Sequence, residues 1–181
     1  LRLQGLTRFA NPVEVDFDGI PPGLVCIAGP NGAGKTSLLG ASGPAAIYRD
    51  LPPRSGDWLA PGGHVELTFA IGEKIYAARL WRTPSGSTSA TLKLDGKKVA
   101  GSKVRAYDAA IRDLLGPPEA FYASAYAAQG GGGRLGALGP AERRRLFRFY
   151  LGLDRIQAIA DAAKARIAAY DLVAYSGARR R

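Results

Sequence analysis

The sequence has one cysteine, no long apolar run and comparatively few acidic residues. Cys26 lies inside the apolar stretch 24–28, where we expect a small buried thiol rather than a reactive one or half of a disulfide. No stretch reaches the roughly 20 apolar residues that a membrane-spanning helix needs, and the N-terminus lacks the residue order of a signal peptide. We therefore expect a cytoplasmic protein with no membrane partner, associated with the nucleoid if it is bacterial.

The shortage of acid is a matter of 15 Asp and Glu against 25 Lys and Arg, which gives a formal net charge of +10. This charge favours a polyanionic partner such as DNA. A coding bias towards Arg, Gly and Ala would produce the same balance without any nucleic-acid partner. The residues suited to phosphate contact include a helical group that could equally be a solvated face, namely Arg143, Arg144, Arg145 and Arg148.

The chain contains enough apolar residues to form a hydrophobic core, because 46% of its 181 residues are hydrophobic. The length fits one domain or a large part of one, and no internal repeat is visible. A first residue that is not methionine and an end inside a helical pattern at 179–181 would fit a fragment trimmed at both ends.

Apolar and polar residues alternate along several segments, as in half-buried strands. Segments 1–6 and 13–17 predict a β-hairpin, and 64–99 predicts an antiparallel meander with turns near 72, 86 and 96. The continuous apolar run 24–28 predicts a strand that is covered on both faces. After Lys35 we expect a short helix, because Gly40, Gly43 and Pro44 interrupt its pattern.

Helical spacing returns further along the chain. It predicts a helix from about 104 to 115 with Ser102 as N-cap and Gly116 as stop, and a short helix from Pro118 to Tyr126. Another helix should start at Pro140. From Ile156 the apolar positions average 3.5 residues apart, which is the coiled-coil period, although an ordinary amphipathic helix would show a similar pattern over this length.

The most specific motif is Gly29-x4-Gly34-Lys35-Thr36, between an apolar run and a predicted helix. Glycine allows the backbone to curl so that consecutive N–H groups point at one phosphate. In this interpretation Lys35 places a charge near the β and γ phosphates, Thr36 offers its hydroxyl to Mg2+, and Ser37 reaches the α phosphate. The residues predicted to bind the nucleotide here are Asn31, Gly32, Ala33, Gly34, Lys35, Thr36 and Ser37.

Further segments occur in the order found in one family of ATPases. They are Leu6-Thr7-Arg8-Phe9, Phe17, the loop 29–36, the meander 64–99, the segment 121–129, and Leu138-Gly139-Pro140-Ala141-Glu142-Arg143-Arg144 leading into Leu151-Gly152-Leu153. Together they resemble the N-terminal half of the head of SbcC-type and related SMC-like ATPases of double-strand-break repair, from residue 1 to about 170. The resemblance implies an α/β fold: an ABC-ATPase-like P-loop half-head with a mixed sheet and an antiparallel meander over 1–154. It also implies the root of a coiled-coil helix over 155–181.

Two more site residues follow from this resemblance. Arg8 matches an arginine that contacts nucleotide in the family, although a solvated charge at a strand end is the alternative. Gln129 matches the glutamine of the Q-loop, which implies that it binds Mg2+ and, together with Lys35, serves hydrolysis. The run Gly130 to Gly133 departs from the family pattern after Gln129, and this departure affects where the glutamine would rest.

Two motifs of the family are missing from this sequence. No four apolar residues precede Asp-Glu, so no Walker B carboxylate is present, and there is no Leu-Ser-Gly-Gly signature. The resemblance places both in the C-terminal half of the same head. It implies an ATPase that uses ATP and Mg2+, pairs with a second head, and works with an SbcD-like nuclease on double-stranded DNA. Alone, this chain should bind nucleotide weakly and hydrolyse it poorly.

Three other functions are alternatives to this one. They are a P-loop small-molecule kinase, a transporter ATPase subunit, and a nucleotide-gated clamp or defence protein with the same head. Outside the motif, His64 is predicted to be a strand-edge residue without metal partners, and Trp58 and Trp81 to belong to the core rather than to base-stacking platforms.

Overall fold

The computed structural model describes residues 1–50, 58–101, 103–127, 136 and 138–178, with side chains to residue 170. The chain divides into two compact units, 1–134 and 135–181. The predicted boundary at 154 between head and coil stays a prediction.

The first unit is built on one sheet of six strands in the order β2-β1-β3-β4-β5-β6, and every neighbouring pair is antiparallel. The predicted hairpin and meander are therefore confirmed. The expected mixed sheet is wrong for the described residues, because none of their strand pairs is parallel. The strands are β1 (Arg2–Leu6), β2 (Val13–Glu14), β3 (Leu59–Ile71), β4 (Lys74–Arg82), β5 (Thr88–Leu94) and β6 (Lys97–Ala100).

Strand register places the core on one face of this sheet. Leu3, Val65, Leu80 and Ala90 lie opposite one another across β1, β3, β4 and β5, and all four are almost fully buried. A second row, from β3 to β6, consists of Leu67, Ala78, Leu92 and Ala100. Because side chains alternate between faces, the residues between these rows lie on the opposite face.

Helical segments cover the buried face. The first, α1 (Lys35–Gly40), passes into a π-helical turn (Ala41–Ala45) and then into α2 (Ala46–Tyr48). Pro44 lies inside this turn, and because proline has no N–H to donate, the regular α-helix ends as the sequence predicted. Gly43 leaves room for the Phe121 ring, since an added Cβ would lie 2.9 Å from its Cζ atom.

Two further helices follow the meander, as predicted: α3 (Val104–Leu115) and α4 (Pro118–Ser124). Tyr107 and Ile111, one turn apart on α3, are buried in the core. The Tyr107 hydroxyl donates to the Ala46 carbonyl over 2.6 Å, and this bond joins α3 to α2. Gly116 ends α3 as expected, whereas Ser102 lies outside the described residues and Lys103 occupies the N-cap position.

Arg49 and Asp108 form a second link between these helices. The Arg49 guanidinium donates Nε to Oδ1 over 2.7 Å and Nη2 to Oδ2 over 2.5 Å. Both side chains are only partly exposed, so solvent and salt screen this bidentate ion pair less than they screen a pair on the surface.

The apolar run 24–28 does not form the predicted strand. It has no strand assignment, and Leu24 and Val25 are exposed at 103% and 52% of their full area. The expectation of a buried thiol is wrong for the same reason, since Cys26 is exposed. A strand needs neighbouring strands for its backbone hydrogen bonds, and no described strand pairs with this run.

The second unit consists of two helices, α5 (Pro140–Tyr150) and α6 (Leu153–Ala178). Pro140 is the first residue of α5, as predicted, and Glu142 accepts the Gly139 N–H over 3.1 Å to close the first turn. In the described part of the chain no helix is both long enough and apolar enough to cross a bilayer.

Candidate functional site

The glycine-rich loop 29–36 adopts a conformation that side chains with a Cβ rarely reach. Gly32 and Gly34 have φ angles of 81° and 98°. Gly34 is also the residue immediately before α1. Left-handed residues of this kind turn successive backbone N–H groups towards one side of a loop, which is the arrangement that holds an anion.

Lys35 is held by the loop that precedes it. Its Nζ donates to the carbonyls of Gly29 and Pro30 over 2.7 and 2.9 Å. The Ala33 N–H is also used within the loop, because it donates to Pro30 O over 3.2 Å. The ammonium group therefore lies at the mouth of the loop, while the Ala33 amide is engaged internally.

A second element reaches this loop from the end of β1. The turn Thr7–Phe9 folds back on the strand, with the Gly5 N–H donating to Phe9 O over 2.6 Å. It places Arg8 on Gly32, where an added Cβ would lie 3.2 Å from Arg8 Nη2. Phe9 packs on Gly34 in the same way, because a Cβ there would lie 3.0 Å from the end of the ring.

The same turn fixes one hydroxyl of α1. Thr7 Oγ1 donates to Ser37 Oγ over 2.8 Å, and Ser37 is the polar residue at this site that is buried. Ser37 thus accepts one hydrogen bond from the turn and retains its own hydroxyl proton for donation to another group.

These residues surround a cavity of about 450 Å3. Among the described residues, its lining contains two cationic side chains, the Arg8 guanidinium and the Lys35 ammonium, and no carboxylate. Such a donor set fits a polyphosphate better than a neutral or cationic ligand. The lining residues are Arg8, Asn31, Gly32, Gly34, Lys35, Thr36 and Ser37.

The structure thus brings together all but two of the residues that the sequence singled out for nucleotide, Mg2+ and hydrolysis. Ala33 belongs to the loop and is absent from the cavity lining. Gln129 lies outside the described residues. Within the described residues, no cluster of three or more His, Cys, Asp or Glu side chains could bind a metal ion. The predicted Mg2+ ligand that lies in the described cavity lining is the Thr36 hydroxyl.

Two residues at the site were missed from the sequence. Thr7 orients Ser37, and Phe9 covers Gly34, although both belong to the segment Leu6-Thr7-Arg8-Phe9 that carries the family resemblance. Thr7 has a φ of 50°, which is uncommon for a residue with a branched Cβ. The conformation belongs to a tight turn in which the Phe9 N–H donates to Leu6 O over 2.9 Å, and the segment 6–9 contains no glycine, proline or asparagine to mark such a turn.

Two expectations about other residues need correction. His64 is not at a strand edge, because β3 pairs with β1 on one side and β4 on the other. Burial, assisted by the charge of Arg79, lowers the pKa of the His64 imidazole, although Glu66 opposes the shift. Trp58 packs against the core as expected. Trp81 does not belong to the core, because it pairs with His64 across β3 and β4 and lies with it on the face of the sheet that points away from the core.

A family model described as an AAA domain matches residues 1–106, more than half of the chain and all of the cavity lining described above. No curated protein matches the chain.

Proposed function

The chain belongs to the AAA domain family, and from that premise we propose that it supplies the phosphate-binding part of an ATP-driven head that acts in DNA repair. At the level of the family it is an ATP-binding P-loop ATPase of the SMC-like kind. The finer assignment, to the SbcC type, rests on the sequence resemblance.

One observation carries the nucleotide-binding part of the proposal. Arg8, from the β1 end, and Lys35, from the glycine-rich loop, line the same cavity, and no carboxylate is among the lining residues that the structure describes. The positive φ angles of Gly32 and Gly34 add backbone N–H groups to these two cations. A triphosphate offers charges in a row that this combination can bind at several points at once.

The family generally uses ATP with Mg2+. In this chain the Thr36 hydroxyl and the Gln129 amide would hold the ion, as the sequence predicts. Mg2+ supplies neutralisation of the charge that develops on the phosphates during transfer. Lys35 and Arg8 would neutralise the same charge from the protein side. The Walker B carboxylate that polarises water would come from the C-terminal half of the head.

The exposed apolar run supports a complementary C-terminal half of the head. Leu24 and Val25 project apolar surface to solvent immediately before the phosphate-binding loop, and Leu39 on α1 is also half exposed. An apolar segment of this length that pairs with none of the described strands fits addition of a strand from another part of the protein. We propose that the segment carrying the Walker B and signature motifs covers it.

Helix α6 supports the coiled-coil part of the proposal. Its predicted heptad positions Ile156, Ile167 and Tyr170 are exposed at 61%, 63% and 77%. A helix of 26 residues with an uncovered apolar stripe is suited to a second helix packed along it. In the proposed assembly, ATP brings two such heads together, and their closure moves the coils and an SbcD-like nuclease on double-stranded DNA.

The decisive experiment joins the chain to the downstream half of its natural polypeptide. The two halves are co-expressed and co-purified, and ATP hydrolysis is measured with and without double-stranded DNA. We expect hydrolysis that DNA stimulates and that Lys35→Ala removes. A stable pair that hydrolyses no ATP with Lys35 intact would contradict the proposed motor.

The same preparation distinguishes the remaining alternatives. A small-molecule kinase would transfer phosphate to an added acceptor without DNA, and a clamp that serves no repair function would hydrolyse ATP without activating a nuclease. Gln129→Ala should slow turnover while nucleotide affinity is largely retained, because the glutamine is assigned to water and metal rather than to the phosphates. An unchanged rate in this variant would remove Gln129 from the site.

A further inference from the structure

The face of the sheet opposite the core carries a groove of about 500 Å3 that the nucleotide site does not use. No residue lines both this groove and the cavity around Lys35. Its volume lies within the range of about 300 to 1,000 Å3 that ligand pockets occupy. The groove is formed by residues of β3, β4 and β5 and of the turn after β4.

An aromatic ring forms part of its wall. Trp81 on β4 is half-buried and lies opposite His64 on β3, in the row that faces away from the core. The Arg79 guanidinium carbon is 6.0 Å from the centre of the Trp81 ring. Because Leu80 between them is 1% exposed and belongs to the core, the outward placement of Arg79 and Trp81 follows from strand alternation.

Positive charge surrounds this ring. Arg79, Arg82 and Lys93 line the groove against one carboxylate, Glu66. Glu66 pairs with Arg79, with 3.6 Å between Glu66 Oε2 and Arg79 Nε, so this one carboxylate offsets one of the three charges and the lining stays net positive. Arg82 is fixed in place by donating to the carbonyls of Leu59 and Gly86 over 3.0 and 3.1 Å.

Lys93 provides the strongest indication of an anionic ligand. It has no ion-pair partner among the residues that the structure describes, and it lies directly opposite Lys98 across β5 and β6. Like charges at directly opposed positions destabilise a sheet. An anion beside Lys93 would relieve this repulsion.

From this combination we propose that the groove binds single-stranded nucleic acid, with a base stacked on Trp81 and the sugar-phosphate backbone along Arg79, Arg82 and Lys93. Stacking on an aromatic side chain inside a basic groove is the general means by which proteins hold single strands. A duplex hides the faces of its bases, so it could use the cations but not the ring. An acidic peptide would likewise gain nothing from Trp81. DNA and RNA single strands share the recognised chemistry.

The test measures binding of the 181-residue chain to fluorescently labelled oligothymidylate and oligouridylate by anisotropy. We expect Trp81→Ala to weaken binding about tenfold and Trp81→Phe to weaken it less, because phenylalanine keeps a stacking face. Lys93→Ala should weaken binding severalfold and reduce its dependence on salt. Lys74→Ala, at the far end of β4, makes the same charge change outside the groove and should leave affinity unchanged.

A spectroscopic measurement protects the test against misfolding of Trp81→Ala. In a Trp58→Phe variant, Trp81 is the remaining tryptophan, since the chain has two. Its fluorescence should be quenched by the oligonucleotide with the same midpoint as the anisotropy curve, and circular dichroism confirms that each variant is folded. A preference for oligothymidylate or oligouridylate then identifies DNA or RNA as the source of the strand.

Several results would overturn the proposal. Oligonucleotide binding without quenching of Trp81, or no binding at all, would remove the ring from the site. A duplex or polyglutamate that binds as tightly as the single strand, with the same dependence on Trp81, would show that the groove does not select single-stranded nucleic acid. Lys35→Ala should leave this binding intact, so failure of the ATPase assignment and failure of the groove assignment are distinguishable.

Discussion

The Thr7 hydroxyl donates a hydrogen bond to Ser37 Oγ over 2.8 Å, across 30 residues of sequence. Thr7 belongs to the turn after β1, which also carries Arg8, and Ser37 belongs to the first turn of α1. This bond therefore sets the distance between the cation that comes from the sheet and the loop that carries Lys35. Together with the packing of Phe9 on Gly34, this hydroxyl pair joins the turn after β1 to the phosphate-binding segment.

Replacing Thr7 by valine should test this relationship, because valine keeps the shape and removes the hydroxyl. We expect nucleotide affinity to fall about three- to tenfold, in line with loss of one neutral hydrogen bond of about 0.5 to 1.5 kcal/mol. Titration calorimetry with ATP measures it. Thr68→Val on the exposed part of β3 is the matched control. If Thr7→Val still lowers affinity in a Ser37→Ala background by its full amount, the bond does not mediate the effect.

Lys35→Ala should reduce ATP affinity about a hundredfold or more, because a charged donor to the phosphates is lost and the described part of the cavity lining contains no other lysine. Binding of a fluorescent ATP analogue is the measurement. Lys74→Ala removes the same charge far from the loop and should bind as the unchanged chain does. ATP affinity retained in Lys35→Ala would overturn the assignment of the loop.

Tyr107→Phe should destabilise the first unit by about 1 to 3 kcal/mol, since the Ala46 carbonyl would lose its buried partner. Urea denaturation followed by circular dichroism measures the change. Tyr76→Phe is the control, because the Tyr76 hydroxyl has no hydrogen-bond partner within the described part of the chain, and it should cost much less. Equal losses of unfolding free energy in the two variants would show that the hydrogen bond from Tyr107 to Ala46 does not stabilise the fold.

Stability should fall as the pH drops below about 6.5, the ordinary pKa of histidine. Burial and the Arg79 charge lower the pKa of His64, so the unfolded chain takes up a proton in a pH range where the folded chain still resists it. The loss continues down to the lowered pKa and then levels off. His64→Gln should flatten this part of a plot of urea midpoint against pH. A slope that is unchanged in His64→Gln would assign it to other groups.

Local pattern was sufficient for much of this fold. Alternation from Val65 to Val99, broken by turns at Gly72 and Gly96, predicted the meander, because side-chain period and turn chemistry act between near neighbours. The short helix after Lys35, the stop at Gly116 and the start at Pro140 followed from the backbone restrictions of glycine and proline. The phosphate-binding loop was recognisable for the same reason.

Local pattern failed where a distant partner decides the outcome. The run 24–28 has strand composition and no described strand to pair with, so its apolar residues are exposed. Trp81 is a residue type that is common in cores. It follows the buried Leu80 on the same strand, so side-chain alternation places it on the opposite face of the sheet. His64 was expected at an edge and lies between two strands.

The sequence by itself determined the element types, the turns and the loop that curls around an anion, because these depend on φ, ψ and side-chain period over a few residues. Only the tertiary structure decided that Arg8, Thr7 and Phe9 reach that loop, and that Trp81 faces a basic groove. Those placements depend on contacts between residues far apart in the chain. Such contacts leave no periodic trace in the sequence, since either partner alone is compatible with many other surroundings.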